Sequence, residues 1–177
     1  MKLTRCFDAS LQIPVSAPAG CEAVLGYIGG SAVHIWTPEE WDRFGSLRQF
    51  PCWVADLASS ATNQATDATA AAKRLGWNAG RAIVADMESA SNASWWDEWA
   101  DEVTKLHYQP AWYGTASVAG VYTAKFKWVA DFDNNPDLPD GWAAKQYAAN
   151  VEVPGGVVDL SVIGDGLITH GGLGPRK

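Results

Sequence analysis

The chain alternates between short apolar runs and amphipathic stretches, and the apolar runs stop abruptly in acidic residues. Residues 82–85, AIVA, carry no polar position, as in a strand covered on both faces, and give way at once to Asp86, Met87 and Glu88. Side chains of an extended chain alternate between faces. Asp86 and Glu88 therefore project to the same side, about 7 Å apart along the strand, with Met87 on the other. A strand ending in a polar turn would explain one such site alone, but other strand ends in this chain do the same.

Read in order, LTRCFD (3–8) is a first strand ending in Asp8, and AVLGYIGG (23–30) is a second, closed by a glycine pair suited to a sharp turn. Thr37, Pro38 and Glu40 have the spacing of a helix start with a capping box, followed by Trp41 and Phe44 on one side. PCWVAD (51–56) is a third strand ending in Asp56. The alanine-rich segment 62–75 is a strong helix former that Gly76 stops. After the strand at 82–89, Ser94 with Asp97 marks another helix, in which Trp96, Trp99, Val103 and Leu106 recur at helical spacing. Four further strands, 110–117, 126–132, 142–148 and 157–163, are separated by short Gly, Asn, Pro and Asp loops. The expectation is an α/β fold: a closed β/α barrel of about eight strands with helices mainly in the first half. It occupies residues 1–170 as one domain, with 171–177 as a flexible tail.

Composition sharpens this picture. The chain has 177 residues, 47% of them hydrophobic, enough for a sizeable core. A net charge of −7 without basic runs disfavours nucleic acid and anionic membranes as partners. Ten tryptophans exceed ordinary usage, and sugar clefts use such residues; about half are expected in the core. Cys6, Cys21 and Cys52 form no even framework, which suits free thiols and a reducing site of synthesis. The N-terminal MKLTRCFDASLQ has neither a long apolar run nor a cleavage pattern, so synthesis in the cytoplasm without a classical signal peptide is expected.

The chemical signal is the recurrence of carboxylates at strand ends: Asp8, Asp56, Asp86 with Glu88, Asp131 and Asp159. In barrels of this class the active groups come from the carboxyl ends of different strands. Carboxylates gathered in one pocket cannot all ionise freely, which yields an acid and a base together. Glycosidic cleavage needs that combination.

The strings FDASLQ, ADMES, PAWYGTAS, KWVADF, KQYA and VVDLSVI resemble, in order, the motifs of the family 25 glycoside hydrolases, lysozymes with an irregular barrel. They resemble equally the related glycoside-hydrolase-like domains of actinobacteria and their phages. The resemblance implies an irregular, flattened TIM-like β/α barrel and, in an active member, cleavage between N-acetylmuramic acid and N-acetylglucosamine in peptidoglycan. It places Glu88 as proton donor, Asp86 as its partner, and Asp8 and Asp159 in the catalytic floor. Gln12, Tyr113, Trp128 and Tyr147 would be walls of the sugar cleft, and Tyr27, Asp56, Asp131 and Gln146 complete the expected substrate contacts. Lys145 stands where many members have Trp, and Ser161 where Asn is usual.

Three classes of function follow. The leading one is a lysozyme-like hydrolase acting on bacterial cell-wall glycan, as a phage lysin or virion-associated lysin, with no cofactor. The second is a non-catalytic carbohydrate-binding or phage tail domain that keeps the barrel, in which an oligomer or virion assembly would supply avidity. The third is a divalent-cation hydrolase with Asp8, Asp86, Glu88 and Asp159 as oxygen ligands. His34, His107 and His170 lie on no ligand spacing, so a zinc site is not expected.

Overall fold

The computed structural model describes residues 2–88 and 92–172. Eight strands close into a barrel in sequence order: β1 (Thr4–Asp8), β2 (Ala23–Gly30), β3 (Arg48–Val54), β4 (Ala82–Asp86), β5 (Gln109–Thr115), β6 (Lys127–Ala130), β7 (Ala144–Val153) and β8 (Gly156–Ile163). Neighbours from β1 to β7 are parallel, whereas β8 runs antiparallel to both β7 and β1. That reversal matters for function. Because β8 runs backwards, its early residues lie at the mouth where the other strands end, and Asp159 pairs directly with Asp8.

Three helices, α1 (Pro38–Arg43), α2 (Ala61–Arg74) and α3 (Ala93–Lys105), cover β2 to β5, and a short α4 (Asp165–Ile168) follows β8. The Thr37 capping box opens α1, with the Thr37 hydroxyl and the Glu40 carboxylate each accepting the other residue's backbone N–H. The cap of α3 is Asn92 rather than Ser94: its side-chain oxygen accepts the Trp95 N–H at 3.1 Å, and the Ser94 hydroxyl serves it instead. None of the described helices is long and apolar enough to cross a membrane.

Strand alternation splits the core in two. One layer, with Val24, Ile83, Trp112 and Val129, packs outward beneath α2 and α3, where Trp95, Trp96 and Trp99 meet it. The other fills the barrel: Cys6, Leu25, Phe50, Val84, Trp128 and Ile163, with Leu167 of α4 at the end away from the acidic mouth. Nine of the ten tryptophans are buried and Trp142 is half-buried, so the core takes far more than the half expected. A barrel with helices on part of its rim has two apolar layers to fill, and the indoles fill them. The first two residues of the tail expected at 171–177 are packed on the barrel. Gly171 and Gly172 are buried, and Gly172 exchanges two backbone hydrogen bonds with Gln49, at 3.2 and 2.8 Å, leaving 173–177 outside the described residues. No side chain would fit there: a Cβ on Gly172 would lie 2.4 Å from the Trp77 indole.

Candidate active site

Alternation also decides which polar side chains enter the mouth. On β4, Ala82 and Val84 face the interior, so Asp86 does too. By the same count Asp8 follows Cys6 on β1, Tyr113 follows Ala111 on β5, and Gln146 follows Ala144 on β7. Register sets them side by side: Asp86 opposes Tyr113, and Asp8 opposes Asp159.

Gln146 ties this floor together. Its side-chain nitrogen donates to Asp8 Oδ2 at 3.1 Å and to Asp159 Oδ2 at 3.0 Å, while its oxygen accepts a hydrogen bond from the Tyr113 hydroxyl. Asp159 Oδ1 accepts the backbone N–H of Asn150 at 2.8 Å. Asn150 holds this position in a left-handed conformation, φ 57°, that asparagine tolerates. Glu88 lies one turn beyond β4, exposed on the rim, and its backbone N–H donates to Asp86 Oδ1 at 3.2 Å.

Asp8 and Asp86 are each only 5% exposed, and no described ion pair reaches them. Burial pushes Asp8 well above the usual carboxylate range, and the neighbouring charges of Asp159 and Asp86 push it further, against the Gln146 hydrogen bond. Burial, then the Glu88 charge, raises Asp86 to about 7. Asp159 is raised by burial and held back by its hydrogen bonds from Asn150 and Gln146. Tyr27 and Tyr113, buried beside the same carboxyls, are both raised far above the ordinary phenol. Burial and mutual charge thus oppose simultaneous ionisation of these acids.

The mouth opens into two adjoining lobes that share Ser10. One, of about 320 Å³, is lined by Tyr27, His34, Asp86 and Glu88 with an apolar wall of Val33, Leu57 and Met87. The other, of about 300 Å³, is lined by Asp8, Gln12, Asn150, Val157 and Asp159. A tight internal gap between Tyr27, Tyr113, Asp8 and Asp86 lies beneath them. Among the described residues no group of three or more His, Cys, Asp or Glu is arranged to hold a metal ion.

The structure therefore brings together Glu88, Asp86, Asp8, Asp159, Gln12, Tyr27, Tyr113 and Gln146. Four expected contacts lie elsewhere. Asp56 is exposed and caps its own turn, accepting from the Ala58 N–H and the Ser59 hydroxyl, whose hydrogen bond lowers its pKa. Asp131 continues the outward side of Val129 and pairs with Lys145 at 3.5 Å. Trp128 is 1% exposed inside the barrel, its indole N–H donating to Ser161, so it offers no face to a sugar. Tyr147 is half-buried and stands apart from the lining of either lobe. Ser10, His34 and Asn150 were not singled out from the sequence, since a serine, a histidine and an asparagine in loops or at a bulge carry no periodic signal. Lys145, whose ammonium is 2% exposed, is also bound to Asp133 at 2.7 Å.

Comparison with solved structures places this architecture. A lysozyme of glycoside hydrolase family 25 from Aspergillus fumigatus superposes with a TM-score of 0.64 over 92% of this chain and 94% of its own, at 15% identity. The barrel is that of the family 25 lysozymes. The Streptococcus pneumoniae modular autolysin LytC, in complex with a synthetic peptidoglycan ligand, matches with a TM-score of 0.65 at 18% identity over 90% of this chain and 46% of the autolysin. A Tat-secreted protein of Mycobacterium tuberculosis, in complex with L-tartrate, matches with a TM-score of 0.71 at 12% identity, covering 93% and 97% of the two chains. No family model matches the sequence, and no curated protein does. What is shared with these proteins is the fold, at identities that leave few residues in common.

Proposed function

We propose that this protein is a peptidoglycan-directed glycoside hydrolase of the muramidase type, cleaving between N-acetylmuramic acid and N-acetylglucosamine. The observation that carries the reading is the convergence of Asp8, Asp86 and Asp159 from three strands on one mouth, with Glu88 on its rim. Glu88 is the group that can reach a glycosidic oxygen, so it serves as general acid. Asp86, raised to about 7, holds a proton around neutrality and can donate a hydrogen bond to a neighbouring acetamido oxygen. Positive charge developing on the sugar favours ionisation of the floor beneath it, so Asp8 and Asp159 act more strongly on the transition state than on the ground state. Lobes on either side of Ser10 give sugar rings room on both sides of the scissile bond.

The test is release of reducing ends from purified bacterial peptidoglycan. Wild type releases them, and Glu88→Gln loses about 10²- to 10⁴-fold in kcat with its fold intact. A Glu88→Gln protein that clears walls at the normal rate removes the assignment. A non-catalytic glycan-binding or virion structural role is the second reading. One feature favours it: the lobes offer Tyr27 as their aromatic side chain, fewer stacking faces than a sugar cleft commonly has. Binding of wall fragments by wild type without reducing-end release decides for it. Delivery as a phage lysin made in the cytoplasm is part of the proposal, tested by whether wall clearance needs a companion that opens the membrane.

A further inference from the structure

Gln146 occupies a position that a substrate contact could not use. Both of its N–H groups are spent, one on Asp8 and one on Asp159, and its oxygen holds the Tyr113 hydroxyl, so it has no donor left for a sugar. With the amide oxygen accepting from the phenol, the nitrogen is turned toward the acids, where it bonds both. At 2% exposure it is sealed beneath the lobes.

We propose that Gln146 is a positioning residue of the acidic floor: held by Tyr113, its amide favours charge on Asp8 and Asp159, the two acids it bridges, and gives no such help to Asp86, which it does not touch. A neutral amide suits that task. A lysine there would pin both charges permanently, and an apolar residue would leave buried Asp8 and half-buried Asp159 facing each other with nothing between them. Asp86 receives no hydrogen bond from Gln146; its partner is the Glu88 backbone N–H. The groups facing Asp8 are Asp159 of β8, Asp86 and Glu88 from the end of β4, and the Cys6 thiol of its own strand. Tyr27 of β2, Cys52 of β3 and Tyr113 of β5 complete its surroundings, with no lysine, arginine or histidine among them. Asp159 is faced by Asp8, Gln146 and the Asn150 backbone. His34 lines the lobe on the Asp86 side with its ring nitrogen on Glu40, whereas Asp8 and Asp159 are bridged by the amide, which distinguishes them from Asp86 by its hydrogen bonds.

The kinetic part of this inference rests on the glycosidase reading, but the titration does not. The experiment follows the side-chain carboxyl carbons of Asp8, Asp86 and Asp159 by NMR through a pH series in wild type, Gln146→Met and Tyr113→Phe. Methionine keeps the length and removes every donor, so the Asp8 and Asp159 midpoints move up while Asp86 stays or falls. Tyr113→Phe releases the amide to rotate and gives the same direction with smaller size. Unmoved Asp8 and Asp159 midpoints in a folded variant overturn the inference, as does an Asp86 midpoint that climbs in step with them. If Gln146→Met does not fold, Tyr113→Phe decides by the same criteria. On peptidoglycan, Tyr113→Phe shifts the acid limb of kcat/KM to higher pH. A lower kcat with the limb in place marks a merely structural role and also overturns it. A wild type that releases no reducing ends defeats the glycosidase reading and leaves the titration to judge Gln146.

Discussion

Two layers of the same barrel interior, two residues apart on each strand, carry opposite chemistry. The lower contains Cys6, Val84, Ala111 and Ala144; the upper contains Asp8, Asp86, Tyr113 and Gln146. On the reversed strand the step runs the other way, from Asp159 above to Ser161 below. The barrel is closed through both layers, although the β7–β8 register shifts just past Gln146, so the main change between them is side-chain chemistry. The lower layer supplies burial energy, and the upper one holds acids that burial destabilises when charged. The site is thus expected to oppose the stability of the fold that carries it.

The sharpest test of that contrast is pH. Asp86 has a folded value of about 7 against an ordinary 3.8, so the folded chain holds this proton more tightly than the unfolded one. Its contribution is fully present below pH 4 and is lost as pH rises toward 7, amounting to roughly 4 kcal/mol across that window. Asp8 and Asp159, also raised, act in the same direction. Urea unfolding at pH 5 and pH 8 should show the wild type weaker at pH 8. Asp86→Asn should narrow the gap, being more stable than wild type at pH 8 while losing activity. Equal stability of the two proteins at both pH values would mean that Asp86 is not held protonated by the fold.

The middle-sized effect lies where the layers touch. Ser161 is fully buried and accepts the Trp128 indole N–H at 3.1 Å. Ser161→Ala leaves that donor buried without a partner and should cost about 1–3 kcal/mol, read as a lower urea midpoint. Because Ser161 hydrogen-bonds to no floor carboxyl, the loss should be the same at pH 5 and pH 8. A pH-dependent loss would show that the two layers are electrically coupled.

How far the sequence disclosed this division is clearest in its twin strings WVADL and WVADF. Both read as strands ending in an aspartate, and both do end beside one. In β3, however, Phe50 and Cys52 face inward and Trp53 faces α2, where its indole donates to Gln64. In β6 the phase is shifted by one: Trp128 points in, Val129 out, and Asp131 follows Val129 to the outer side. Composition cannot show that shift, because strands covered on both faces have no alternation to read. The phase was readable in β1, where Cys6 and Asp8 flank Phe7, and in β4, where the acids themselves break the apolar run. The strand count, the helices of the first half and the acidic mouth were therefore legible. The Tyr113–Gln146 link and the lobes around Ser10 depend on closure of the barrel, which sets distant residues at hydrogen-bond distance.

The smallest effect isolates the lower layer by itself. Ile163 ends β8, pairs with Thr4 and Ala144, and is fully buried in the barrel with Leu167 beneath the same cluster. Ile163→Val removes one methylene without adding a polar atom or altering the strand propensity, and should cost about 0.5–1.5 kcal/mol. Its register lies four residues from Asp159 along β8, about 13 Å by the strand rise, beyond the hydrogen bonds of the floor. The pH dependence of stability and the acid limb of the activity profile should both be unchanged. If this methylene alone moved either one, packing below would be setting the protonation above, and the two layers would have to be treated as one unit.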